Sequence, residues 1–262
     1  MKGFLLPVLT LWWREVQRFI RQRSRLIGAF AQPLVFWLLL GAGLGASFQP
    51  PGTPLGTSYI EYFYPGIITL VLLFTAIFAT ISTVEDRQKG FLQGVLVAPV
   101  GRSSIVLGQA LGGTTLALLQ GVLFLFLAPV AGVPLTVPSV LLLVTVMFLV
   151  SFGMTNLGLI IAWGMDSTQG FHAIMNLILF PAWLLSGAFF PISGAPPWLA
   201  WAMRVNPLTY GMAALRRSIY LGDPEAAGDV PQMALSLGVT LLFCGATFLV
   251  AIWAARRRRS TA

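Results

Sequence analysis

The chain has 262 residues, 57% hydrophobic and only 9% charged, with mean hydropathy +0.85. A soluble domain carries roughly a quarter charged residues, so a water-soluble fold is excluded, and apolar runs of about 20 residues indicate membrane helices rather than barrel strands. The net charge of +8 lies mostly in segments that orient a membrane protein, which argues against nucleic-acid binding, and one cysteine, Cys244, allows no intrachain disulfide.

Residues 1–25 read as an amphipathic helix. Leu9, Trp12, Trp13, Val16 and Ile20 recur at three- and four-residue spacing, with Arg14, Arg18, Arg21 and Arg25 on the other side. A basic face plus tryptophans suits a helix in the membrane interface. No cleavable signal peptide is expected, because the short apolar start runs into arginines instead of a small-residue cleavage site.

The membrane domain, 26–262, holds six apolar runs, near 26–48, 62–84, 104–130, 138–163, 171–190 and 231–254. The third contains Gly108, Gly112, Gly113 and Gly121, which predicts soft ends. Gly41/Gly45 and Gly108/Gly112 have the spacing of small-residue helix packing. With both termini placed in the cytoplasm, 13 of the 16 basic residues fall on the inner side, as the positive-inside rule requires. The fold class expected is therefore an all-α integral membrane protein with six spans. Between the fifth and sixth runs, residues 191–230 are too apolar for a solvated loop and too interrupted to span. They read as one or two short helices re-entering the outer leaflet, covered there by protein.

The spans carry no Asp, Glu, Lys or Arg in their interiors, and His172 sits at the edge of the fifth. Ion-coupled transporters and intramembrane hydrolases need ionisable groups or metal ligands at depth. A phosphate-binding loop needs Gly-Lys-Ser/Thr, but the two lysines, Lys2 and Lys89, follow Met1 and Gln88. No catalytic residue, metal site or bound cofactor is expected, and energy has to enter from outside the chain.

The candidate entry point is 85–99, a charged, helix-compatible segment between the second and third runs. Built as one helix over 86–98 at about 100° per residue, it sets Phe91, Leu92, Val95 and Leu96 on one apolar face. Gly90 and Gly94 form a narrow seam for a close backbone contact, and Pro99 ends the helix.

Glu85-Asp86-Arg87, Gly90, Leu92, Leu96 and Pro99, followed by Gly108, resemble the coupling-helix motif of type 2 ATP-binding-cassette (ABC) exporter permeases. Gly90-Phe91-Leu92-Gln93 and Leu96-Val97-Ala98-Pro99 are similar to the daunorubicin-resistance, multidrug branch. Asn206-Pro207-Leu208-Thr209-Tyr210, with Arg216 six residues on, resembles the signature between the last two spans, as do Leu185-Ser186-Gly187, Phe190-Pro191 and Pro197-Trp198. Two positions depart from the pattern: Ala213 stands where an aspartate is usual, and Gln93 near a usual glutamate.

The resemblance implies a permease paired with a second copy of itself and with two cytoplasmic ABC ATPase subunits, which hold the ATP and Mg. It would act in a bacterial inner membrane. Phe91, Leu92, Val95 and Leu96 would enter a groove on the ATPase, with Glu85 and Arg87 as polar anchors. Thr75, Gln120, Asn156 and Asn176 are candidate polar groups along a path for a hydrophobic or amphiphilic compound, a drug or a lipid. The competing readings are export of a polysaccharide or lipid-linked glycan and a membrane scaffold without transport. Trp37 and Trp183 look too scattered for the aromatic rings of a sugar path.

Overall fold

A computed structural model describes residues 2–21, 23–44, 58–223 and 225–257. Among them there are eleven α-helices and no strand. They are α1 (Lys2–Arg21), α2 (Arg23–Leu44), α3 (Tyr59–Ala79), α4 (Ile81–Gln88), α5 (Phe91–Val97), α6 (Arg102–Leu125), α7 (Val137–Gly164), α8 (Thr168–Trp183), α9 (Pro197–Val205), α10 (Pro207–Ile219) and α11 (Met233–Arg257).

Five helical segments among the described residues are long and apolar enough to cross a membrane: Tyr59–Gln88, Arg102–Leu125, Val137–Gly164, Thr168–Ala188 and Met233–Arg257. The chain is an all-α integral membrane protein. The run expected at 26–48 falls largely in α2, 22 residues long, within which Phe30–Gly41 is a shorter apolar stretch among the described residues. Residues 45–48, and Gly45 of the predicted small-residue pair, lie outside the described residues.

Helix α3 is the axis. Phe63, Tyr64, Ile67, Ile68, Leu72 and Ile77 are fully buried, because α2, α6, α7, α8 and α10 all pack around it. Trp37 and Trp183 are not scattered. Trp37 packs tilted against Tyr64 and edge-on against Phe124, and Trp183 tilted against Phe63 and edge-on against Phe189. Their indole N–H groups donate to the carbonyls of Ile60 (3.2 Å) and Gly66 (2.8 Å) of the α3 region. Folding turns two distant tryptophans into packing for one helix, with a partner for each buried N–H.

The glycines of α6 do not interrupt it. The helix is continuous, and they admit neighbours instead. A Cβ on Gly108 would lie 2.9 Å from Leu11 Cβ, and one on Gly112 would lie 2.7 Å from Glu15 Cβ. Both approaches are by α1, which lies along α6.

A second, smaller core gathers Leu11 of α1, Leu92 of α5, Ile105 and Val106 of α6, Leu159 and Trp163 of α7, and Ala251 and Ala255 of α11. It brings the first and last described helices to one end of the bundle. The other end carries α9 and α10, the two short helices expected within 191–230. They follow a wide helical turn at Leu184–Ala188.

Candidate functional site

Helix α4 ends in Glu85-Asp86-Arg87-Gln88. Two carboxylates near a helix C-terminus oppose its dipole, so cations must come from elsewhere. Arg14 and Arg18 supply them. Four apart, they share one face of α1. Asp86 is 2% exposed and accepts Arg14 through both oxygens, at 2.6 and 2.7 Å, and Arg18 at 2.9 Å. Arg18 also pairs with Glu85, whose other cation is Lys89 at 3.9 Å. Hydrogen bonding to Asp86 raises the pKa of Arg14 above its ordinary value. The Arg14 guanidinium lies 3.8 Å from the ring centre of Phe91, so a single side chain joins α1, α4 and α5.

Glu15 is the neighbour that sequence reading missed. It is buried beside Gly112. Burial raises its pKa, against the opposite pull of a hydrogen bond with Ser82. A lone glutamate among arginines on a basic helix was the available signal.

Arg87 turns the other way. Its guanidinium donates to the carbonyls of Met165 and Trp163, the latter at 3.1 Å, and reaches Asp166 at 3.2 Å. Gln88 donates to the Asp166 carbonyl at 2.9 Å. The last carbonyls of α7 have no helical partner of their own, and a cation there also meets the negative end of the dipole. Asp166 is thus a partner of Arg87 as well as a turn residue.

The segment 86–98 is two helices rather than one. Gly90 has φ 74°, a left-handed conformation that costs any residue with a Cβ about 1–2 kcal/mol. It breaks the helix between α4 and α5. Apart from the chain neighbours and the helix's own backbone, no atom of the described residues lies within 4 Å of a Cβ built on Gly90 or Gly94. Gly90 is explained by the turn rather than by a packed seam.

The apolar face is divided as a result. Leu92 is 3% exposed in the second core, so it faces this chain rather than a partner. Phe91 is 41% and Val97 87% exposed, Val95 is half-buried and Pro99 is exposed. The side chain of Leu96 lies outside the described residues. A groove of about 520 Å³, walled by Leu6, Thr10, Phe91, Gly94, Val95 and Ala98, runs between α1 and α5. The expected polar anchors, Glu85 and Arg87, are engaged within the chain.

Next to this cluster, a cavity of about 430 Å³ opens between α2, α3, α4 and α8. Leu70, Phe74 and Phe78 form its apolar wall, and Gln32, Glu85 and His172 its polar groups. Of the four predicted path residues only Thr75 lines it. Gln120 is buried and bonded to Thr75. Asn156 is buried and donates to Phe152 O of its own helix at 2.8 Å. Asn176 is exposed on α8. The fold therefore does not gather these four residues. It brings in Gln32 and His172 instead, which span-by-span reading does not connect.

At the opposite end, the Asn206–Tyr210 signature is a set of joints. The Asn206 side-chain Oδ1 accepts from Leu208 N at 3.1 Å and caps α10, and its Nδ2 donates to Ala182 O at 2.7 Å. Pro207 opens α10, where its missing N–H costs nothing. Tyr210 donates to Arg204 O at 2.9 Å. Arg216 is buried, donates to Tyr62 O at 3.0 Å and sits 4.2 Å from the centre of that tyrosine ring. Ala213 is buried. Among the described residues no group of three or more His, Cys, Asp or Glu is placed to hold a metal.

Comparison with known proteins places these features in a family. The sequence profile described as "ABC-2 type transporter" matches residues 7–220. The chain is 30% identical to a putative transport permease ycf38 of Porphyra purpurea over 199 residues, covering 75% of this chain and 68% of that protein. It is 28% identical to Nodulation protein J of Rhizobium leguminosarum bv. trifolii over 237 residues, covering 90% and 87%. With Nodulation protein J of Rhizobium meliloti the identity is 27% over 250 residues, covering 95% and 90%.

Proposed function

Since the chain belongs to the ABC-2 type transporter family, we propose that it is the membrane subunit of an exporter, driven by two copies of a separate cytoplasmic ABC ATPase. Those subunits bind the ATP and Mg. The permease works as a homodimer in a bacterial inner membrane, with α2 as the first of six spans and both termini inside. The cargo is a hydrophobic or amphiphilic compound, a drug or a lipid.

The observation that carries this reading is Glu85. It belongs to the charged cluster that ties α4 to α1, and it also lines the cavity between α2, α3 and α8. A push on Phe91, Val95 and Val97 would reach α4 through the Gly90 turn. From there it passes to α1 through Arg14 and Arg18, and to the α7–α8 turn through Arg87. It therefore moves the walls of the cavity rather than one loop. The cavity itself supports an amphiphile, with an apolar wall and a few polar groups. Trp37 and Trp183 are buried in packing and offer no platform for sugar rings.

The test is to purify the chain with its ATPase and to measure substrate-stimulated ATP hydrolysis in Val97→Glu and Gly94→Trp, two exposed changes that leave the core intact. Loss of the complex or of stimulation is expected. Unchanged assembly and unchanged stimulation in both variants would sink the coupling role.

A further inference from the structure

A second pocket, about 430 Å³, lies at the far end of the bundle, where α9 and α10 meet the start of α11. Its lining includes Arg204, Asp229, Tyr210, Ser193, Gln232 and Leu235. The walls are held in place. Arg217 donates to the carbonyls of Pro231 (2.7 Å) and Val230 (2.8 Å), which fixes the chain beside Asp229. Tyr210 holds the end of α9 through Arg204 O. The cation and the anion face the same space, yet neither Arg204 nor Asp229 forms an ion pair with a described residue. Two exposed opposite charges that line one pocket without pairing suit a ligand carrying both.

The surroundings specify the rest. Trp198 and Trp201 on α9 are 72% and 67% exposed, and exposed indoles belong at the membrane–water boundary. Leu235 in the pocket, followed along α11 by exposed Leu241, Leu242 and Leu249, leads toward the acyl chains. We propose that this pocket binds the zwitterionic head of an amphiphile. Its phosphate or carboxylate meets Arg204, its ammonium meets Asp229, and its chain lies along α11. The site is separate from the cavity and from the ATPase-facing cluster, and it stands whether or not the coupling reading does.

The test uses the full chain in detergent, exposed to an equimolar mixture of phosphatidylethanolamine, phosphatidylglycerol and diacylglycerol with identical chains. Retained lipid is read by native mass spectrometry. The wild type is expected to favour the ethanolamine lipid roughly two- to fivefold over the glycerol lipid, the worth of one exposed ion pair. Asp229→Asn brings the ethanolamine lipid down to the level of the glycerol lipid. Arg204→Gln lowers both toward diacylglycerol. Absence of a headgroup preference in the wild type, or an unchanged preference in both variants, would overturn the proposal. Adding glycerophosphoethanolamine separates the two sources of such a head. Displacement shows that the head alone is held, as in a soluble zwitterion. Retention, with the variant pattern intact, identifies a chain-anchored membrane lipid.

Discussion

Replacing Asp86 by alanine removes the acceptor of three hydrogen bonds from two arginines. A buried ion pair that loses one partner costs about 3–5 kcal/mol, whereas an exposed pair is worth about 0–1 kcal/mol. This cluster lies between those limits. The Asp86 side chain is 3% exposed, but those of Arg14 and Arg18 are 31% and 18% exposed. Each arginine also keeps a second carboxylate, Glu15 for Arg14 and Glu85 for Arg18. A loss of about 2 kcal/mol in the docking of α1 on α4 follows, roughly thirtyfold in that equilibrium. Local opening of this kind appears in hydrogen exchange, so the amides of α1 should exchange about thirtyfold faster in Asp86→Ala. The combination Arg14→Ala with Asp86→Ala should cost little more than either change alone, because the partners share one interaction. Exchange of α1 at the wild-type rate in Asp86→Ala, or full additivity of the pair, would show that the cluster does not hold α1.

Three further outcomes follow from the same region. Burial raises the pKa of Glu15, so its stability contribution is present below the ordinary glutamate value and is lost as pH rises through the raised one; Glu15→Gln should flatten thermal stability across that window and raise it at neutral pH, read from melting curves in a pH series. Gly90→Ala should cost about 1–2 kcal/mol through the backbone alone, since nothing crowds the new methyl, with Gly90→Asn less affected; equal melting temperatures for glycine and alanine would contradict the left-handed turn. Arg87→Ala should free the end of α7 at a cost of about 1.5–3 kcal/mol for charged hydrogen bonds, seen as faster exchange near Trp163 and Asp166; Arg87→Lys should rescue little, since a point charge cannot fork to several carbonyls.

The sequence by itself determined the solvent. Long uncharged runs can be stable only in a bilayer, and basic residues clustered beside them predict which ends share a side. Asparagine and proline at 206 and 207, read as part of a signature, serve as a cap and a first helical turn, whereas Gly90, read as a seam for a close backbone contact, is a left-handed turn that divides the helix. Tertiary structure decided which face of each short helix looks inward. Nothing local distinguishes Leu92 from Phe91, yet one enters the core shared by α1, α6, α7 and α11 while the other stays half open under Arg14. Charge partners were equally hidden. Asp86 meets arginines about seventy residues away, and Arg87 meets carbonyls a similar distance ahead, because long-range pairing depends on how spans pack. The segment 85–99 reads from sequence as a single helix offered to a partner. In the fold its charged half is bound within the chain, and only part of its apolar half remains exposed.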